Sequence, residues 1–276
     1  MRIQVLGCSG GIEPQNRTTS FLLDDDTLMD AGSGVCDLPL ATLQGIHHIF
    51  LTHSHFDHLV GLPLLVEGVS RYRAARNLPP IRVYAPTATL ECLQRNIFNS
   101  HIWPDFTCLP DAARPTLAFV ALEEGQAITL PNGRTVEALP AAHNVPAVGY
   151  AVCQHADVWA FTGDTGSTPA LWHALNQLAA RGLRLRWLVA EATFANHHQA
   201  FADLTAHYTP QSLAQDMQAH LQQGNFELYL THLKPADKAD IAHDLDSLHN
   251  VAQRLRCPVH VLQRGHVFST DSAAHH

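Results

Sequence analysis

The chain has 276 residues, 46% hydrophobic and 15% charged; this is enough to bury a sizeable core and lies outside the composition of disordered chains. Lys and Arg total 17 against 25 Asp and Glu, a formal charge of −8, which argues against coating nucleic acid through bulk electrostatics but leaves room for an anionic substrate held by a few local cations or metals. No apolar run approaches the roughly 20 residues of a membrane span, and the start, Met1 to Gly11, lacks the apolar stretch and cleavage site of a secretory signal, so the expectation is a cytoplasmic protein with no membrane partner.

In chain order, alternating or β-branched runs predict strands at Ile3–Leu6, Ser20–Leu23, His48–Leu51, Ile81–Tyr84, Thr135–Leu139, Gly149–Val152, Val158–Phe161, Trp187–Ala190, Glu227–Leu230 and Val259–Leu262. Helical patterns cover Leu59–Arg76, Thr87–Phe98 behind a Thr cap, Thr168–Arg181 with Pro169 at its first position, Pro210–Gln223 stopped by Gly224, and Ala236–Leu255. Early strands come in hairpin-like pairs and later ones alternate with helices, which fits two sheets with helices outside. No linker divides the chain, so residues 1–276 read as one domain. Residues 99–115, rich in Pro, Asp and Trp, read as a surface insertion that could serve as a lid or dimer arm. The six scattered cysteines form no CxxC pair and read as small buried hydrophobes. His275 and His276, at the end of the chain, read as the remnant of a purification tag.

Histidine is the anomaly, at 20 residues. Directly after the apolar run His48–Leu51 stands Thr52-His53-Ser54-His55-Phe56-Asp57-His58. In an extended stretch His53 and His55 point the same way and can reach one metal; a turn into the next helix can aim Asp57 and His58 at a second. Further ligand types follow later strands: His143 after Thr135–Leu139, Asp164 after Val158–Phe161, and His232 after Glu227–Leu230.

These motifs resemble the metallo-β-lactamase superfamily, whose signature is HxHxDH followed by a separate His, Asp and His. The likeness runs from Leu6–Gly11 and Met29–Gly34 to Thr231-His232. It implies an αββα sandwich, an α/β fold of two mixed sheets flanked by helices, carrying two divalent metal ions. Zn2+ is the first expectation, with Mn2+ or Fe2+ as alternatives. By position, one metal takes His53, His55 and His143, the other takes Asp57, His58 and His232, and Asp164 bridges them.

Glu191-Ala192-Thr193-Phe194 and His207-Tyr208-Thr209-Pro210 resemble segments of two phosphodiesterase branches: class II cyclic nucleotide phosphodiesterases and RNase Z-type tRNA-processing nucleases. The resemblance implies Asp57, Glu191 and His207 as catalytic residues, Glu191 orienting His207 and His207 lying beside the scissile phosphate. Phe56, in His55-Phe56-Asp57-His58-Leu59-Val60-Gly61-Leu62, fills an apolar position usually Leu in the cyclic nucleotide branch and Gly in RNase Z, and no Gly- and Lys/Arg-rich arm for gripping tRNA is present. The expected function is hydrolysis of a 3',5'-cyclic nucleotide such as cyclic AMP or cyclic GMP to the 5'-monophosphate by a metal-bridging hydroxide. The substrate partner is then a small phosphodiester rather than nucleic acid, and the resemblance implies a homodimer. The rivals are an RNase Z-type tRNA 3'-processing enzyme, another hydrolase of the same fold, and a metal carrier that kept the fold without the activity.

Overall fold

The computed structural model describes residues 1–270; His275 and His276, read as a tag remnant, lie outside the described residues. The chain forms two compact units. Among the described residues, one comprises 1–8, 14–122 and 263–270, and the other 9–13 and 123–262.

The first unit is built on a seven-stranded mixed sheet, in the order Val267–Ser269, Arg2–Gly7, Ser20–Leu23, Thr27–Met29, His48–Phe50, Ile81–Ala85, Leu117–Ala121. The first four strands pair antiparallel and the remainder parallel. Helix Gly61–Ala75 packs Leu62, Leu65, Val66 and Val69 onto it, the three- and four-residue spacing of one helical face.

In the second unit the sheet order is Val259–Val261, Glu227–Thr231, Arg184–Glu191, Asp157–Phe161, Val148–Gln154, Thr135–Pro140, Ala127–Thr129. Here the first three pairings are parallel and the other three antiparallel. Helices Pro169–Ala180, Pro210–His220 and Asp246–Leu255 supply Leu171, Leu175, Leu213, Met217, Leu248 and Val251 to its core. Strands 157–161, 184–191 and 227–231 run in one direction, and 135–140, two antiparallel steps away, runs with them. Their carboxyl ends therefore share one edge of the sheet, where ligands bind in open α/β sheets.

All ten expected strands form. Four more strands of the two large sheets, Thr27–Met29, Leu117–Ala121, Ala127–Thr129 and Val267–Ser269, carry too little alternation to stand out in the sequence and owe their state to their neighbours' hydrogen bonds. Thr87 is the first residue of its helix and Pro86 its N-cap, because the proline holds the extended conformation that precedes a helix. Thr168 and Pro169 take their expected places, although the Thr168 side chain makes no capping bond.

The helix from Pro210 ends at His220, before Gly224: Asn176 donates to the His220 carbonyl at 2.9 Å and accepts from Gln222 N at 2.9 Å, drawing the chain out of the helix. The stretch expected as one helix over Ala236–Leu255 is broken into Lys238–His243 and Asp246–Leu255. Cys153 and Cys257 are buried as expected, but Cys36 and Cys108 are exposed and Cys8 and Cys92 half-buried.

Residues 99–115 are tied down. Trp103 Nε1 donates to Pro63 O at 3.0 Å, Asp105 accepts from Gln94 Nε2 at 2.9 Å, and Phe106 joins the core. A short antiparallel pair, Pro110–Asp111 with Arg114–Pro115, closes the segment.

Candidate metal and phosphodiester site

In the first unit, strand His48–Phe50 is wholly buried and Leu51, Thr52 and His53 continue inward. His55 is the extended N-cap of a four-residue helix, Phe56–Leu59, which carries Asp57 and His58. The His53 ring lies 4.6 Å from His55 and 4.3 Å from His58, centroid to centroid. His58 Nε2 is 4.0 Å from Asp57 Oδ2.

These rings are held from behind. His58 Nδ1 donates to Asp30 Oδ2 at 2.7 Å, and Asp30 also accepts from Thr52 N at 2.8 Å and Thr52 Oγ1 at 2.9 Å. His53 Nδ1 lies 2.9 Å from Thr52 Oγ1. Asp30 follows strand Thr27–Met29, which runs parallel to the strand leading to His53, so the two strand ends place Asp30 beside Thr52. Burial raises the Asp30 carboxyl above its usual range, and the His58 charge and the Thr52 and His58 hydrogen bonds oppose that rise. In the sequence Asp30 stands within Met29–Gly34 as a carboxylate directly after a short apolar run, and only the fold sets it behind His58.

In the second unit, strand ends deliver the rest. Asp164 and His232 are buried, with His232 Nε2 3.3 Å from Asp164 Oδ2. His232 sits at φ 62°, a conformation unfavourable for an L residue and found at functional sites. Its Nδ1 donates to Thr193 Oγ1 at 2.9 Å, and His143 Nδ1 donates to Ala206 O at 3.0 Å. Burial pushes the His143 imidazole below its ordinary value, against the charge of Asp164, favouring the neutral ring that a metal requires.

Glu191, the last residue of its strand, is fully buried. Its carboxylate accepts from Thr165 N at 2.7 Å, His207 Nδ1 at 2.8 Å, Tyr208 N at 3.1 Å and Thr193 Oγ1 at 2.5 Å. Thr193 therefore donates to Glu191 and accepts from His232, a link that sequence reasoning missed because one hydroxyl beside a strand end carries no pattern. The His207 ring lies 4.9 Å from that of His143 and 5.4 Å from that of His232. Asp164, His207 and His232 each offer a ligand atom within 4.8 Å of the others. Burial acts to lower the His207 pKa, but the Glu191 carboxylate, through charge and hydrogen bond, outweighs it, and the imidazole stands above its ordinary value.

The donor sets suit divalent metals in both units. Imidazoles that commit Nδ1 to a carboxylate, hydroxyl or carbonyl leave Nε2 as the ligand atom, the arrangement usual behind metal-binding histidines. Of the residues expected at the site, His53, His55, Asp57 and His58 stand together in the first unit, and His143, Asp164, Glu191, His207 and His232 in the second.

A family model of the beta-lactamase superfamily domain matches residues 27–233. The chain is 25% identical over 281 residues to a protein of Yersinia pestis named "Probable 3',5'-cyclic-nucleotide phosphodiesterase", covering 85% of this chain and 78% of that one. It is 29% identical over 154 residues to ribonuclease Z of Pyrococcus abyssi, 51% of this chain and 45% of that protein, so it spans under half of that relative. Among solved structures, unliganded yeast PDE1 matches with a TM-score of 0.77 at 18% identity, over 96% of this chain and 98% of that one, a likeness of fold. Two large mixed sheets flanked by helices are thus the metallo-β-lactamase fold, and with the family match spanning most of its length, the chain belongs to the beta-lactamase superfamily.

Proposed function

We propose that the protein is a dinuclear metal-dependent phosphodiesterase that hydrolyses 3',5'-cyclic nucleotides to nucleoside 5'-monophosphates. The carrying observation is the buried Glu191–His207 pair at 2.8 Å, set beside Asp164 and His232. In this reading His53, His55 and His143 would hold one metal and Asp57, His58 and His232 the other, with Asp164 available to both. The phosphodiesterase name of the Yersinia relative supports it. Bound divalent metals supply an acidified water nucleophile and neutralise phosphoryl charge.

The chain's own residues then divide the work. Asp30 and Thr193 fix the ring orientations of His58 and His232. Glu191 keeps a proton on His207 Nδ1, and its charge holds the ring protonated closer to neutral pH, so Nε2–H can donate to the ribose 3' oxygen as its bond to phosphorus breaks. His207 returns to the neutral state with its Nδ1 proton retained and still donated to Glu191.

Assay of metal-loaded protein with cyclic AMP and cyclic GMP beside a 3'-extended tRNA tests this. Turnover of the cyclic nucleotides, lost in His207→Ala with metal retained, is the expected result. Cleavage of the tRNA with no cyclic nucleotide turnover would instead favour the RNase Z reading, which the partial match to the Pyrococcus enzyme supports.

A further inference from the structure

Next to His207 the second unit carries an open cleft of roughly 730 Å3, lined among others by Ile12, Phe194, His198, Phe201, Lys234 and Asp237. Two of its apolar side chains are unusually open to solvent: Ile12 is 75% and Phe201 52% exposed. Phe194 joins the cleft to the catalytic pair. Its ring meets Phe201 edge to face at 5.1 Å and His207 edge to face at 5.7 Å. The rim is polar. Lys234 Nζ donates to Gly10 O at 2.5 Å, and its charge is felt at His207. His198 Nδ1 donates to Asp237 Oδ2 at 3.1 Å, which leaves Nε2 of this half-exposed ring to meet a polar group.

We propose that this cleft is the base-binding site, taking the purine ring of a nucleotide whose phosphate lies by His207. The inference rests on the cyclic-nucleotide reading above and adds to it the residues that seat the base, Phe201, Ile12 and His198. A nucleobase is a flat apolar face with a polar edge. Phe201 and Ile12 offer the platform for the face, and His198 the acceptor for an exocyclic amino group. The occupant is set by continuity: the cleft shares the Phe194 ring with the residue that protonates the ribose oxygen. A purine has the larger face to cover both Phe201 and Ile12.

The test uses metal-loaded full-length protein. Binding of AMP and of ribose 5-phosphate is measured by calorimetry for wild type, Phe201→Ala, Ile12→Ala and Phe201→Trp, alongside kinetics with cyclic AMP and cyclic CMP. The two alanine variants are expected to weaken AMP binding roughly tenfold or more, with a much smaller effect on ribose 5-phosphate; Phe201→Trp should bind AMP nearly as the wild type does. For cyclic AMP the loss should fall in KM more than in kcat, and wild type should prefer it to cyclic CMP. Unchanged AMP affinity in Phe201→Ala, equal losses for AMP and ribose 5-phosphate, or equal use of the two cyclic nucleotides overturns the base site while the phosphodiesterase reading stands. A wild-type protein that turns over no cyclic nucleotide overturns both.

Discussion

His58 Nδ1 and Asp30 Oδ2 lie 2.7 Å apart with both side chains wholly buried, so a residue 28 positions upstream decides which nitrogen of an expected metal ligand faces outward. Loss of such a supporting group typically costs ten- to a hundredfold in metal affinity. Asp30→Ala should therefore lower bound metal by roughly tenfold at limiting metal concentration, read by elemental analysis of folded protein. Wild-type metal content in the variant would refute the supporting role.

In the proposed reaction Glu191 acts through His207, to which it is hydrogen-bonded at 2.8 Å. Glu191→Gln removes the charge that raises the imidazole pKa and should reduce kcat for cyclic AMP by about 10²-fold or more with metal content retained. Combined with His207→Ala the loss should not multiply, since both substitutions remove one function. Kinetics of the two single variants and the double variant provide the check; multiplicative losses would mean that Glu191 works elsewhere.

Gly32 lies where the Asp30 loop passes the ligand helix. A Cβ there would stand 2.4 Å from Asp57 O and 2.5 Å from Thr19 O, both fixed backbone atoms. Gly32→Ala should destabilise by about 1–3 kcal/mol and weaken metal binding, because the Asp57 backbone must move. Urea unfolding with and without metal measures both effects.

The thiols differ by burial. It pushes Cys153 and Cys257 up to about 11, while Cys36 and Cys108 are exposed. An aromatic disulfide reagent at mildly alkaline pH should label Cys36 and Cys108 in native protein, and Cys153 and Cys257 only after denaturation. Peptide mapping of the adducts decides it.

His47 Nδ1 accepts from Arg73 at 3.2 Å, and burial first, then the Arg73 charge, lowers its pKa below the ordinary 6.5. The folded state thus favours the neutral ring and the unfolded state binds the extra proton. The stabilisation from this group is complete above pH 6.5 and declines as pH falls below it. His47→Asn should flatten that part of the stability profile, measured by denaturant unfolding across acidic pH.

The sequence by itself determined which residue types could bring chemistry and where on the strands they stand. A buried strand shows as a continuous apolar run, and a His or Asp just past its end is visible because alternation and punctuation are local signals; His53, His55, Asp57, His143, Asp164 and His232 were all legible in this way. Tertiary structure alone decided what holds them. Asp30 reaches His58 because two parallel strands end side by side, and Thr193 joins Glu191 to His232 across neighbouring parallel strands. Asn176 ends a helix 44 residues further on by taking the bonds at His220 and Gln222. Such contacts depend on strand order and register, which arise from the pairing of distant segments and leave no periodic trace in the chain.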